Sequence, residues 1–214
     1  MNKITDKIVT IILIVINAVI FVIEGFFGGS EDVYVALAFG AEYVPAIEAG
    51  EYYRLFTACF LHFGFYHLIS NMFSLFLLGT VIEKAYGKLR YIIIYVVAGI
   101  AGNVLTYAVE SATGEYAVSA GASGAILGLM GAFLVLALSG KYRVASTGRV
   151  ILAIVISIVP GLQDANIGIL AHVGGLIGGF VIALILFPTL KRRGKNKPKD
   201  SYQDKKVTVK YRKL

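Results

Sequence analysis

Six stretches of the chain run almost unbroken in apolar residues: roughly Ile8–Ile23, His67–Ile82, Tyr91–Val109, Gly121–Leu138, Val150–Leu162 and Ile167–Leu190. None has the strict alternation of a barrel strand, so each reads as a helix. About twenty apolar residues cross roughly 30 Å of hydrocarbon; several of the six approach that length, and the first and fifth need interfacial residues to finish a crossing. The pattern predicts an all-α membrane protein, a bundle of six transmembrane helices within residues 1–190, followed by a polar tail over 191–214. The first run follows Lys3 and Lys7 as a signal peptide would. What comes after it is Glu24-Gly25-Phe26-Phe27-Gly28 and no small-residue cleavage site, so a retained helix is expected.

Composition agrees. The hydrophobic fraction is 57% and charged residues are 15% of 214, where soluble domains carry about 25% charged residues. With a mean hydropathy of +0.77, a soluble domain of this size has too little polar surface to cover so much apolar material. The same figure excludes disorder. A single cysteine, Cys59, excludes a disulfide scaffold and is expected to pack as a small apolar residue.

The net charge of +7 would ordinarily point toward nucleic acid, but its distribution changes the meaning. With six spans both termini share one side. That side carries Lys3 and Lys7, Lys84, Lys88 and Arg90, Lys141, Arg143 and Arg149, and the eleven basic residues of the tail. The other side holds Arg54 alone, a split of 19 to 1. The excess predicts cytoplasmic termini. The tail carries eleven basic and two acidic residues, leaving residues 1–190 at −2. The charge records orientation and an attraction to anionic headgroups; no nucleic-acid partner is expected.

Spans two, four and six therefore enter the bilayer from the outer face, and their first residues lie at similar depth. There the sequence places its unusual polar groups. His62 to Asn71 heads span two, Gly121-Ala122-Ser123-Gly124 heads span four, and Ala171-His172-Val173-Gly174-Gly175 lies near the head of span six. Polar groups inside a membrane are costly and point to function. Singly, each has a plainer reading: a serine bonding its own helix, or a histidine bridging two helices. His67 and Asn71, four residues apart on one face, also suit an interhelical contact. Gly124/Gly128, Gly174/Gly178 and Gly175/Gly179 have the small-xxx-small spacing of close helix packing.

Together the clusters fit acyl transfer better. A serine nucleophile needs a base to take its proton and donors for the oxyanion it creates. Ser123 and His172, each with a glycine within two residues, supply the pair. The Ser123 backbone N–H with the His67 and Asn71 side chains can supply the donors. No Asp or Glu lies inside these spans to orient the histidine, and Asp164 sits in the loop before span six, so a dyad is expected. Ala125 fills the last position of what would otherwise be a G-x-S-x-G elbow, and no strand precedes it. From a helix start near Gly64, Asn71 lies roughly 10 Å down, within reach of a water cavity open to the outer side.

These residues resemble the rhomboid family of intramembrane serine proteases. Gly50-Glu51-Tyr52-Tyr53-Arg54-Leu55-Phe56-Thr57 is similar to its first-loop GExWR motif, His62–Asn71 to its second-helix motif, Gly121–Gly124 to GxSG and Ala171–Gly175 to AHxGG. The resemblance covers roughly Ala36 to Phe187. It implies a rhomboid-like six-helix bundle with Ser123 as nucleophile and His172 as base. His67, Asn71 and the Ser123 amide would form the oxyanion hole, and Gly121 and Gly124 belong to the serine motif. Arg54 would hold a large first loop whose aromatic and apolar residues dip into the outer leaflet. It further implies single-pass membrane proteins as substrates, cut near or within the outer end of their spans, and no metal or organic cofactor.

Two positions depart from the family pattern. Tyr53 stands where tryptophan is common in the loop motif. Leu127, four residues after the serine, stands where many members carry an aromatic ring against the catalytic imidazole. His62 could assist the first loop or the water of the site, but structural bonding is the expected role. Span five, with Pro160-Gly161 at its outer end, is short and carries no site candidate; it either moves to admit substrate or simply stops there. A catalytically silent relative that binds transmembrane helices is the alternative function, although such relatives typically lack the serine or the histidine. A six-helix transporter would want inverted repeats or midplane charges, and neither is present.

Overall fold

The computed structural model describes residues 7–140, 145–163 and 168–190. Lys3, Lys141, Arg143, Asp164 and the basic tail from Lys191 lie outside the described residues. All six apolar runs fold as helices: α1 (Ile8–Phe26), α5 (Phe65–Tyr86), α6 (Lys88–Thr113), α7 (Ser123–Ser139), α8 (Thr147–Gln163) and α9 (Ile169–Leu186). Between α1 and α5 the first loop folds into three short helices, α2 (Val33–Ala38), α3 (Val44–Glu48) and α4 (Arg54–Thr57), and a 3-10 turn over Ala58–Phe60. Among the described residues, four segments are long and apolar enough to cross a membrane: Ile8–Phe26, Phe65–Tyr86, Lys88–Thr113 and Ile169–Thr189. The apolar helices Ser123–Ser139 and Thr147–Ile158 are shorter.

The helix ends have local causes. Gly87, at φ +82°, is at once the last cap of α5 and the first cap of α6. Only a residue without Cβ turns the chain so sharply at that φ. Gly121 and Ala122, expected inside span four, lie ahead of α7 instead. Gly121 has φ +148°, which a helix cannot contain. Span six stops as a helix at Leu186, and Pro188 sits in a 3-10 turn over Phe187–Thr189.

Helices α6, α7 and α9 form the tightest part of the bundle, with α1 packed on α5 and α8 resting on α7 and, more lightly, α9. Leu75, Ile82, Tyr86, Tyr91, Ile94, Tyr95, Leu129 and Leu136 fill the interior. The outward faces are apolar as well: Ile12, Val15, Val19 and Val22 of α1 are about half exposed, as are Val181 and Leu184 of α9. Such continuous apolar surface is what lipid covers. At one end of the bundle Glu83 of α5 accepts bonds from Val9 N–H (3.0 Å), Thr10 N–H (2.8 Å) and Thr10 Oγ1 (2.8 Å). These are first-turn donors of α1, which have no acceptor within their own helix, so a buried carboxyl caps one helix from another.

Candidate active site

The first loop is built around Arg54. Its Nη1 donates to the carbonyls of Leu37 (2.8 Å) and Ala41 (2.9 Å), and its Nε to Glu51 Oε2 (2.7 Å), with Nη2 2.5 Å from the same oxygen. The Tyr53 hydroxyl donates to Glu51 Oε2 as well, at 2.8 Å. Tyr53 and then Arg54 hold the Glu51 carboxyl below its ordinary range. One guanidinium thus ties α2, the turn after it and α4 together. Asn103 of α6 adds a bond to the Leu55 carbonyl at 3.0 Å.

This loop holds the segment that leads to Ser123. Glu42 and Ser119 exchange both backbone hydrogen bonds, at 2.8 and 3.0 Å, and Gly121 N–H donates to the Ala58 carbonyl at 2.9 Å. Ser123 is then the first residue of α7. The backbone N–H groups of that first turn have no intrahelical acceptor, and the helix dipole makes this end electropositive. An oxyanion formed at Ser123 would meet those donors.

Glycine brings the neighbouring helices to this point. A Cβ on Gly121 would stand 3.0 Å from His67 Cε1 and Nε2 and 3.6 Å from Ser123 Oγ. His67 and Ser123 therefore converge on the empty side of Gly121. Gly124 of α7 and Gly175 of α9 touch backbone to backbone, and Gly128 and Gly179 do the same farther down. Ala171, next to His172, lays its carbonyl against Gly102 and Gly124. His172 is 8% exposed, its Nδ1 has no hydrogen-bond partner, and its ring lies within electrostatic range of His67.

Ser123, His67 and His172, far apart in sequence, thus come to one region at the heads of α7, α5 and α9. Among the described residues no hydrogen bond joins Ser123 Oγ to the His172 ring; such contacts commonly tighten only when substrate is bound. Asn71 is 6% exposed and spends one Nδ2 proton on the His67 carbonyl at 3.0 Å. Its amide retains a second donor proton. Leu127 is buried one helical turn below Ser123.

His62 is placed by a ring contact rather than by the side-chain hydrogen bonding expected of it; among the described residues neither ring nitrogen bonds another side chain. Its ring is buried and meets that of His67 edge-on, with centroids 5.1 Å apart at 68°. Burial first, and the charge of His67 second, push its pKa down to about 3, so it is a neutral wall against which His67 is oriented. The Glu42–Ser119 bridge was not legible in advance. The only signal for it was an acidic residue standing in the otherwise uncharged run from Val33 to Ile47.

The sequence itself matches a known family. The sequence profile of the Rhomboid domain matches residues 49–189. The chain belongs to the rhomboid family. Over 179 residues it is 37% identical to the Rhomboid protease GluP of Bacillus subtilis (strain 168), covering 83% of this chain and 34% of that protein. Over 153 residues it is 35% identical to the Putative rhomboid protease YdcA of the same organism, covering 71% and 75%. RHOMBOID-like protein 6, mitochondrial, of Arabidopsis thaliana is 34% identical over 149 residues, covering 68% and 47%. The chain thus spans about a third of GluP, about half of the plant protein and three quarters of YdcA. As a rhomboid, it is a membrane protein of a protease family.

Proposed function

We propose that this rhomboid is an intramembrane serine endopeptidase that cuts single-pass membrane proteins in or near their transmembrane segments. The observation that carries the reading is the close glycine contact of α7 with α9 beside Ser123 and His172, with His67 against Gly121. Ser123 Oγ attacks the scissile carbonyl carbon as His172 takes its proton. The carbonyl oxygen becomes an oxyanion, stabilised by the Ser123 N–H, His67 and Asn71. Collapse breaks the C–N bond, and His172 returns the proton to the leaving amine. The acyl ester on Ser123 is then attacked by a water that His172 deprotonates, which frees the acid and restores the serine. Gly121 and Gly124 allow the approach of the groups, Arg54 holds the loop, and Leu127 supports the site from below. No step calls for a metal or an organic cofactor.

In this reading all six apolar helices cross the cell membrane within residues 1–190, with both termini and the tail over 191–214 cytoplasmic. The site opens to the extracytoplasmic side. The short α7 has a purpose here: 17 residues rise about 25 Å against roughly 30 Å of hydrocarbon. With its far end at the inner boundary, Ser123 sits beneath the outer surface, where water from that side reaches it. Cleavage of a fluorescent single-pass substrate by the purified protein tests the proposal. Ser123→Ala and His172→Ala are expected to be inactive while melting near the wild-type temperature. Undiminished cleavage by Ser123→Ala would reject the mechanism, and an inactive but folded wild type would favour the silent, helix-binding alternative.

A further inference from the structure

Outside the proposed machinery, one buried acidic residue is built into the joint that carries the nucleophile. Glu42 is 1% exposed, and among the described residues no side chain donates a hydrogen bond to either of its carboxyl oxygens. Its backbone makes both bonds of the bridge to Ser119, four residues ahead of Ser123. Together with the Gly121–Ala58 bond, this bridge suspends the segment leading into α7 from the first loop. What happens at Glu42 is therefore delivered to the start of that helix.

The groups around Glu42 offer its charge little compensation: the Tyr107 backbone of α6 favours the charged form, by less than burial and Glu110 oppose it. Glu110 of α6 is the charge that acts on it, and it is of like sign. Cys59, on the 3-10 turn, is the other titratable neighbour; burial first, and Glu42 second, push its thiol up to about 12, so it is neutral. Arg54 bonds the carbonyl of adjacent Ala41, but its guanidinium is engaged by Glu51. An ionised carboxyl in such a place is strongly disfavoured. Burial, and then Glu110, push the Glu42 pKa up to about 9.

We propose that Glu42 is a positioning residue for Ser123: its neutral acid lets the first loop seat on the Ser119–Ser123 segment, and its ionisation unseats that joint and lowers cleavage on the alkaline side. The proposal rests on Ser123 being the nucleophile. The unfolded chain releases this proton near the ordinary value of 4.5, whereas the folded protein keeps it to about 9. Between those values the folded state binds the extra proton, so stability declines as pH rises. Above the upper value the carboxylate is charged in place and the joint opens.

The test uses the full chain in detergent, with kcat/KM on a fluorescent single-pass substrate and melting temperature both followed across pH. Glu42→Gln keeps the shape and removes the ionisation. It is expected to cleave within about threefold of wild type near neutrality, and to carry its activity about one pH unit or more further into the alkaline range. Its melting temperature should also fall less steeply with pH. Glu110→Gln removes the like charge only and is expected to move the alkaline limb upward by less. Coincident alkaline limbs for wild type and Glu42→Gln, or melting curves of identical pH dependence, overturn the proposal. Ser123→Ala, assayed at each pH, separates the two failures. Activity in that variant defeats the protease reading itself, whereas an inactive Ser123→Ala with an unmoved Glu42→Gln profile defeats only the role of Glu42.

Discussion

Gly175 is the position where the least chemical change should have the largest effect on catalysis. It lies three residues past His172, one helical turn along α9, and faces Gly124, the neighbour of Ser123. A methyl group there would stand 2.6 Å from the Gly124 carbonyl carbon and 2.9 Å from its Cα, and closer still to its oxygen. Ordinary contact between carbon atoms is about 3.5–4.0 Å, and the obstacle is helix backbone, which cannot rotate away. Helices α7 and α9 must therefore part by about 1 Å beside Ser123 and His172. Overpacking of this kind costs about 1–3 kcal/mol. A shift of about 1 Å between reacting groups costs about 10²-fold in rate. Gly175→Ala is thus expected to lower kcat/KM by about two orders of magnitude while the protein remains folded at the assay temperature. Gly25→Ala, where nothing lies within 4 Å, controls for the substitution itself. Parallel substrate-cleavage and thermal-unfolding measurements on both variants decide the matter. A Gly175→Ala enzyme of wild-type activity would refute the claim that this contact sets the Ser123–His172 geometry.

Three other outcomes follow from the same geometry. Asn71→Ala removes one proposed oxyanion donor and should lower kcat by about 10²–10³-fold, with KM little changed; an unaltered kcat takes Asn71 out of the hole. Glu83→Ala strips the acceptor from Val9 N–H, Thr10 N–H and Thr10 Oγ1, and each donor left buried costs about 1–3 kcal/mol. A clear fall in melting temperature is expected, and a fall no larger than for an exposed substitution contradicts the capping role. Arg54→Lys keeps the charge but loses the fork that reaches Leu37, Ala41 and Glu51 at once. Proteolysis should then cut the first loop faster in Arg54→Lys than in wild type, and equal rates would show the loop is held by other contacts.

The six helices were legible because each is a long apolar run, and the candidate site residues stand out because serine and histidine are set among glycines at the heads of helices. Helix ends were less so: Gly121 and Ala122 read as helical by hydropathy, and only the left-handed φ of Gly121 moves the start of α7 to Ser123. The short helices α2, α3 and α4 leave no periodic signature, because four to six residues are too few for any 3.6-residue period to register. The Asp32 side chain that caps α2, accepting from Tyr34 N–H at 2.7 Å, was the available clue. The Glu42–Ser119 bridge and the His62–His67 contact pair residues that periodicity does not relate. His62 and Glu42 both sit in the first-loop region, where tertiary packing decides burial.

The proposed mechanism requires Ser123 and His172 to act as one unit. The most direct measurement is single-turnover cleavage of a single-pass substrate reconstituted with the protein in lipid vesicles, comparing wild type with Ser123→Ala, His172→Ala and the double variant. Residues of one catalytic unit are not additive, so all three variants should fall to the same residual rate, with no further loss in the double variant. Substantial cleavage by either single variant, or independent multiplicative losses, would contradict the dyad.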